Sequence, residues 1–351
     1  MLLKLCFKIN NYKYFILPFL VFFLAVFPSI CLSKTLLEKK YLISGKTMGT
    51  FYNIQVFGKN NLNTFILKQK IDMRLKMINN TMSCFLENSE LSVFNKTRAN
   101  IFFKPSIDFF FILKKAENLF KITNGSWDGT VKPLVKLWGF KTKKEILKIP
   151  EKKLINNILK NTGFNKIHIS KNKILKQNSL LSLDLGSIAK GYGVDAVSKL
   201  LKNHGFKNFF VEIGGEVFAF GKKRNKKFWK VGITMPLKNF QSQSIYKKIK
   251  LNNKAMATSG NYRNFIKIKE KEFSHIINPK TGYPSTSKVI SASVIADTCT
   301  FADGLATALM VMKYKKGLKL INKLKNTECL IIIKTKNKNL KNFVSKNFPE
   351  I

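Results

Sequence analysis

The chain has 351 residues, with 63 Lys and Arg against 19 Asp and Glu, which leaves a formal net charge of +44. Apolar residues make up 45% and aromatics 12%, too much for a chain that cannot bury a core, so wholesale disorder is excluded. Only four residues are arginine (Arg74, Arg98, Arg224, Arg263), and the lysines are spread over the whole length, often beside Asn and Ile. That is a solvated lysine coat from biased composition, not a selected basic face, so no nucleic-acid partner is expected.

In chain order, Lys4, Lys8 and Lys13 precede an uncharged apolar run from Phe15 to Leu32. Its length lies between an export signal and a membrane-spanning helix. Residues 1–33 therefore read as signal or anchor, and 34–351 as one folded unit. Cys31 closes the run after Pro28, Ser29 and Ile30, as a lipid-accepting cysteine would, although Ile30 is a poor stand-in for the usual small residue. Lipidation and an uncleaved anchor both place the folded part outside the cytoplasm by positive-inside logic. The five cysteines contain no CxxC pair, and His168, His204 and His275 lie far apart in sequence. No soft-metal framework or disulfide scaffold follows.

Alternation around FYNIQVF predicts a strand within 41–58, entered through a glycine-containing turn. Helical spacing appears over 64–83 and 106–122. Residues 124–140, with three glycines, one proline and two tryptophans, predict a turn-rich loop leading into a short helix. A helix near 150–160, an IHI strand after Gly163 and a buried strand at 181–185 follow. The helix opening at Gly186 is stopped by Gly205. Strands are predicted at 208–221, 228–234 and 288–297, loops at 257–264 and 275–287, helices over FADGLATALMVM and 315–325, and a last strand at CLIII. Hairpins and helices both connect the strands, so the expected class is α+β, with a mixed, largely antiparallel sheet.

Three segments carry chemistry. DLGSIAKGYGVDAV places Asp184 before a helix start, with Ser187 and Lys190 in its first turns. Helix amides and a lysine there can hold phosphate, or the segment can be an ordinary strand-to-helix connection. In ADGLATALMVM, Asp303 and Thr307 lie four apart on one helix face. They can share a hard cation such as Mg2+, or serve the helix itself. In FSHIINPKTGYPS, His275 precedes a tight polar turn and is a candidate proton acceptor.

In order, KTMGTFYNIQV, MSCFLENSELSVFN, WDGTVKPLVKLWGF, DLGSIAKGYGVDAV, VEIGGEVFAFG, ATSGNYRNF, SHIINPKTGYP and ADGLATALMVM resemble the successive motifs of the ApbE family, from about residue 43 to beyond 312. The resemblance implies an FAD:protein FMN transferase. Its chemistry is Mg2+-dependent attack by a Thr or Ser hydroxyl of an acceptor protein on the FMN-side phosphorus of FAD, with AMP leaving. It further implies that Asp303, Thr307 and an oxygen of Ser187, by preference its backbone carbonyl, hold Mg2+. Met48, Phe85, Trp127, Asp128, Gly129, Asp184 and Lys190 would contact FAD, and His275 would accept the hydroxyl proton. The implied acceptors are subunits of membrane redox complexes, reached from the periplasmic side of the cell inner membrane. Two positions depart from the family pattern. Phe85 stands where a tyrosine is usual, and Asn278 where an aspartate is usual before the PxTG turn. An FAD pyrophosphatase and a non-catalytic flavin-binding lipoprotein remain as alternatives.

Overall fold

The computed structural model describes residues 39–349, apart from 59, 141–147, 171–172, 224–225, 237–243, 262–264, 269–270, 336 and 338. The apolar run, Cys6 and Cys31 lie outside the described residues. Strands β1 (Lys39–Thr47) and β2 (Thr50–Gly58) form an antiparallel hairpin. Met48 and Gly49 close it at φ 49° and 72°, and this pair of left-handed residues matches the strands' right-handed twist. The expected strand within 41–58 is thus two, and Met48 sits at the tip between them.

Helix α1 (Thr64–Met82) starts where the Asn63 side chain accepts the Ile66 N–H. It buries Leu67, Ile71, Leu75 and Ile78, the inward stripe of its 3.6-residue repeat. Two further helices, α2 (Glu90–Lys96) and α3 (Ile107–Ile122), begin at the serine caps Ser89 and Ser106. A single 3-10 turn, Gly129–Val131, leads into α4 (Lys132–Leu137), and α5 (Lys152–Lys160) follows. Next come the small hairpin β3 (Ile167–Ser170) and β4 (Lys173–Lys176), and then the long helix α6 (Gly186–Asn203). Gly205, at φ 81°, ends α6, and the Phe206 N–H bonds back to the Leu201 carbonyl.

The remaining strands are β5 (Phe209–Ile213), β6 (Glu216–Phe220), β7 (Trp229–Thr234), β8 (Ile245–Leu251), β9 (Lys254–Gly260), β10 (Phe265–Ile268), β11 (Lys271–Ser274) and β12 (Val289–Ala296). After helices α7 (Cys299–Val311) and α8 (Tyr314–Ile321), β13 (Glu328–Lys334) and β14 (Leu340–Val344) complete the chain. One eight-stranded sheet has the order β1-β2-β5-β6-β9-β12-β13-β14, and the described strand pairs are all antiparallel. The α+β expectation holds.

Both faces of this sheet are covered. On one side α1, α3, α6 and α7 bury residues such as Ile54, Val211, Ala292 and Ile331. On the other the β7–β8 hairpin buries Val217, Met256, Ile295, Leu330 and Ile332. CLIII is therefore apolar without alternation, as a strand buried on both faces should be. A separate small core joins Leu134, Trp138, Phe140, Ile155, Ile268 and Ile277.

Two sequence expectations need correction. Residues 181–185 are buried, with Leu181, Leu183 and Leu185 fully inaccessible, yet they belong to no strand. Their backbone is satisfied by side chains instead. The Leu183 N–H and carbonyl bond to the Asn95 amide at 2.7 and 2.9 Å, and the Leu181 carbonyl accepts from Lys176 Nζ at 2.9 Å. Residues 257–260, expected in a loop, form the end of β9 and pair with Ser291–Val294 of β12 in the middle of the sheet. Small residues there (Ala257, Thr258, Ser259, Gly260) hide the strand signal, because they let α7 lie close on the sheet.

Candidate active site

Among the described residues four carboxylates are buried: Asp128, Asp184, Glu216 and Asp303. In so basic a chain, with only 19 acids in all, carboxylates taken out of water need a reason. Two of them explain local geometry. Asp128 Oδ1 accepts the Thr130 N–H and hydroxyl at 2.8 and 2.7 Å, and Oδ2 accepts the Phe164 N–H at 3.2 Å. Asp128 therefore ties its loop to the chain ahead of β3, and burial raises its pKa against those bonds. Asp184 Oδ1 accepts the Gly186 N–H at 2.8 Å, while the Asp184 N–H bonds to the Gly129 carbonyl at 2.7 Å. The Trp127–Asp128–Gly129 loop is thereby held against the start of α6, and Trp127 Nε1 donates to Ser187 Oγ at 3.0 Å.

The other two carboxylates lie where α6 and α7 meet. A Cβ on Gly191 would stand 2.5 Å from the Cys299 carbonyl oxygen, so glycine alone permits this close approach. The helices are stitched here by Asp195 of α6. It accepts the Cys299 N–H at 2.7 Å and the Thr300 N–H and hydroxyl at 2.9 and 2.5 Å. It thus caps α7 from another helix, since Thr298 at the cap position makes no such bond itself. Because Asp195 sits at the start of α7 and Gly191 beside Asp303, the two helices pass in opposite senses. The turn of α6 carrying Ser187 consequently lies by the turn of α7 carrying Asp303 and Thr307. Ile188 and Gly304 meet at the same level.

Asp303 Oδ2 accepts the Gly191 N–H at 3.1 Å. In a regular helix that N–H points at the carbonyl four residues back, which is that of Ser187. The Asp303 carboxylate thus reaches the turn of α6 that follows Ser187. Thr307 Oγ1 lies 3.1 Å from Ser259 Oγ of β9, adding hydroxyl oxygens one turn further on. This donor set is all oxygen with a single carboxylate, the kind a hard cation shared with phosphate takes. Among the described residues no group of three or more His, Cys, Asp or Glu forms a metal cluster.

Lys190 of α6 donates to Glu216 Oε1 of β6. Burial pushes Asp303 up to about 8, and the negative charge of Glu216 adds to it. Burial works against the Lys190 ammonium, but the charges of Asp303 and Glu216 outweigh it and raise its pKa. Glu216 is itself raised by burial, against the pull of Lys190. The cluster sets two carboxyl groups beside one ammonium, and the proton that the raised Asp303 holds at neutral pH is one that a further cation would displace.

The structure thus gathers Trp127, Gly129, Asp184, Ser187, Lys190, Asp303 and Thr307 around the start of α6. Met48 reaches the same helix, its methyl 3.2 Å from where a Cβ of Gly193 would be. It also lines a cleft of about 360 Å³ with Lys46, Lys68, Lys76 and Asn79. Two predicted residues are carried by other elements. Phe85, in the link between α1 and α2, is 71% exposed. His275 follows β11 beside the small separate core, edge to face with Phe140 at 6.4 Å. Asn278 caps its own turn by accepting the Lys280 N–H at 3.0 Å. Sequence reasoning missed Glu216. Its signal was a lone acid in the apolar run EVFAF, on the same side of the strand as Phe218 and Phe220.

The α+β fold is shared with known proteins. Residues 48–331 match the ApbE family, and the chain belongs to it. A protein of Haemophilus influenzae described as FAD:protein FMN transferase is 37% identical over 332 residues, covering 92% of this chain and 94% of the relative. A Vibrio cholerae protein of the same description is 36% identical over 307 residues, covering 87% and 91%. The solved structure of flavin transferase ApbE from Vibrio cholerae superimposes with a TM-score of 0.79 at 35% identity, over 89% of this chain and 98% of that one. The apo flavinyl transferase ApbE of Pseudomonas stutzeri gives 0.80 at 26% identity, over 88% and 95%.

Proposed function

We propose that this chain is an FAD:protein FMN transferase: it transfers the FMN moiety of FAD to a Thr or Ser hydroxyl of an acceptor protein, with AMP as the leaving group. The observation that carries the proposal is the seam between α6 and α7, where the buried Asp303 carboxylate of one helix accepts the Gly191 N–H of the other within electrostatic reach of Lys190. Asp303, Thr307 and the Ser187 carbonyl would hold Mg2+. When bound, that ion would draw negative charge from the phosphoryl oxygens as the bond to phosphorus changes.

The remaining tasks fall to the protein's own groups. Lys190 supplies a fixed positive charge at the start of α6, where helix N–H groups also favour an anion. Met48 at the hairpin tip offers apolar surface to the flavin nucleotide, while Trp127, itself buried and bonded to Ser187, fixes its own loop. Phe85 offers a flat face but no phenolic hydrogen bond. His275 takes the acceptor hydroxyl proton. Asn278 stands where an aspartate is usual before the PxTG turn, so position 278 itself brings no negative charge.

The apolar run 15–32 and its preceding lysines support a tether on the periplasmic side of the inner membrane, lipidated at Cys31 or anchored by the run itself. Acceptors would then be subunits of membrane redox complexes. The test is incubation with FAD, Mg2+ and a candidate acceptor domain, followed by denaturing electrophoresis. Fluorescent flavin that stays on the acceptor supports transfer. Free FMN alone would mean hydrolysis, and unchanged FAD a carrier.

A further inference from the structure

We infer that Glu216 is a positioning residue that keeps Lys190 away from Asp303, so that the Asp303 carboxylate stays available to a cation. The inference rests on the metal reading above. Glu216 opens β6 directly after the Gly214–Gly215 turn, and it is 3% exposed. Its Oε1 accepts the Lys190 ammonium, whereas among the described residues its buried Oε2 has no hydrogen-bond partner. The turn before it runs beside the same lysine. A Cβ on Gly214 would lie 3.3 Å from Lys190 Cδ and 2.9 Å from Thr50 Cγ2, so the lysine stem and the hairpin leave no room for a side chain there.

Lys190 has two carboxylates within electrostatic reach, Glu216 and Asp303, and the ammonium donates to Glu216. Asp303 accepts one weaker neutral donor, the Gly191 N–H. Remove the Glu216 charge, and the nearest anion for a buried ammonium becomes Asp303. A lysine on Asp303 competes directly with a divalent cation for the same oxygens, since opposite charges in a poorly solvated seam attract strongly. Glu216 thus separates two cations that would otherwise share one carboxylate. Lys190 is free to face phosphate only because its charge is already matched elsewhere.

The test measures Mn2+ binding to the full chain by electron paramagnetic resonance. Mn2+ serves as the probe because it shares the oxygen preference of Mg2+. Glu216→Gln keeps the shape and an acceptor for Lys190 but removes the charge, and it should weaken Mn2+ binding on the order of tenfold with an unchanged melting temperature. Lys190→Met should bind Mn2+ at least as tightly as the wild type. The double variant Lys190→Met/Glu216→Gln should return to within about threefold of the wild type, because no lysine remains to occupy Asp303. Wild-type affinity in Glu216→Gln would overturn the inference. A double variant as weak as Glu216→Gln alone would also overturn it, by making Glu216 a ligand in its own right. If the wild type binds no Mn2+ and Asp303→Ala changes nothing, the metal reading falls and takes this inference with it. Binding that depends on Asp303 but not on Glu216 removes only the inference.

Discussion

The α6–α7 seam and two positions nearer solvent, His275 after β11 and Phe85 between α1 and α2, are built on different terms. In the seam the positions of most charged groups are fixed by contacts from more than one element. Asp195 takes three donors from α7, Gly191 meets the Cys299 carbonyl, and Lys190 is bonded to Glu216 beside the Gly214–Gly215 turn. Outside the seam, His275 leans on Phe140, beside a core that is separate from the sheet, and Phe85 projects into solvent. The difference follows from what each must meet. Charge that develops on a bound nucleotide appears at one place and is best met by groups that need not reorganise. Under the proposed transfer, a hydroxyl arriving on another protein must be approached from outside, so the group proposed to accept its proton belongs on an accessible edge.

Substitutions can break this contrast. Asp303→Ala should reduce transfer on the order of 10³-fold, because it removes the one charged ligand. Activity equal to wild type at limiting Mg2+ would remove Asp303 from the site. Gly191→Ala drives a Cβ against the Cys299 carbonyl and should cost about 3 kcal/mol, read as a fall in melting temperature. An unchanged melting temperature would show that the helices can part freely. Outside the seam, His275→Ala should slow transfer on the order of 10²-fold while FAD still binds with the protein fully folded. Loss of FAD binding would move His275 into the nucleotide site. Thr307→Ala should fall by about tenfold or less, since water can replace a neutral ligand, and raised Mg2+ should restore most of the rate.

The smallest effect concerns Lys176, which is fully buried and donates to the carbonyls of Asn95, Ser179 and Leu181 at 2.8, 3.1 and 2.9 Å. It thereby fixes the segment leading to Asp184. Burial lowers its pKa from 10.5 to about 8. Between those values the unfolded chain binds more protons than the folded one, so stability from this group rises with pH across that window. Denaturant titrations from pH 7.5 to 10.5 should show the wild type gaining on Lys176→Met. A constant difference would mean that the three carbonyls hold the ammonium charged throughout.

The legible parts of the sequence were those with a period or a stop signal. The apolar positions of α1 and α3, and Gly205 after α6, define those elements from composition alone. The segment 181–185 misled because alternation reports burial, not pairing, and here the Asn95 amide, from far earlier in the chain, takes the place of a neighbouring strand. β9 was hidden by small residues selected for the helix above it. In the site, Asp303 and Thr307 stood out because they share one helix face. Glu216 and Asp195 did not, because their partners come from other elements, and spacing along one element cannot reveal what folding brings from another.

Capping of α7 by Asp195 has a consequence for how the molecule opens. A helix that carries its own cap can fray and reseat alone. One whose first N–H groups are satisfied by a neighbour cannot loosen its start without orphaning that neighbour's carboxylate in the interior. α6 and α7 should therefore exchange their amide hydrogens as one cooperative unit, at a rate near that of global unfolding. Local breathing would then never leave half a site, with Ser187 in place and Asp303 astray.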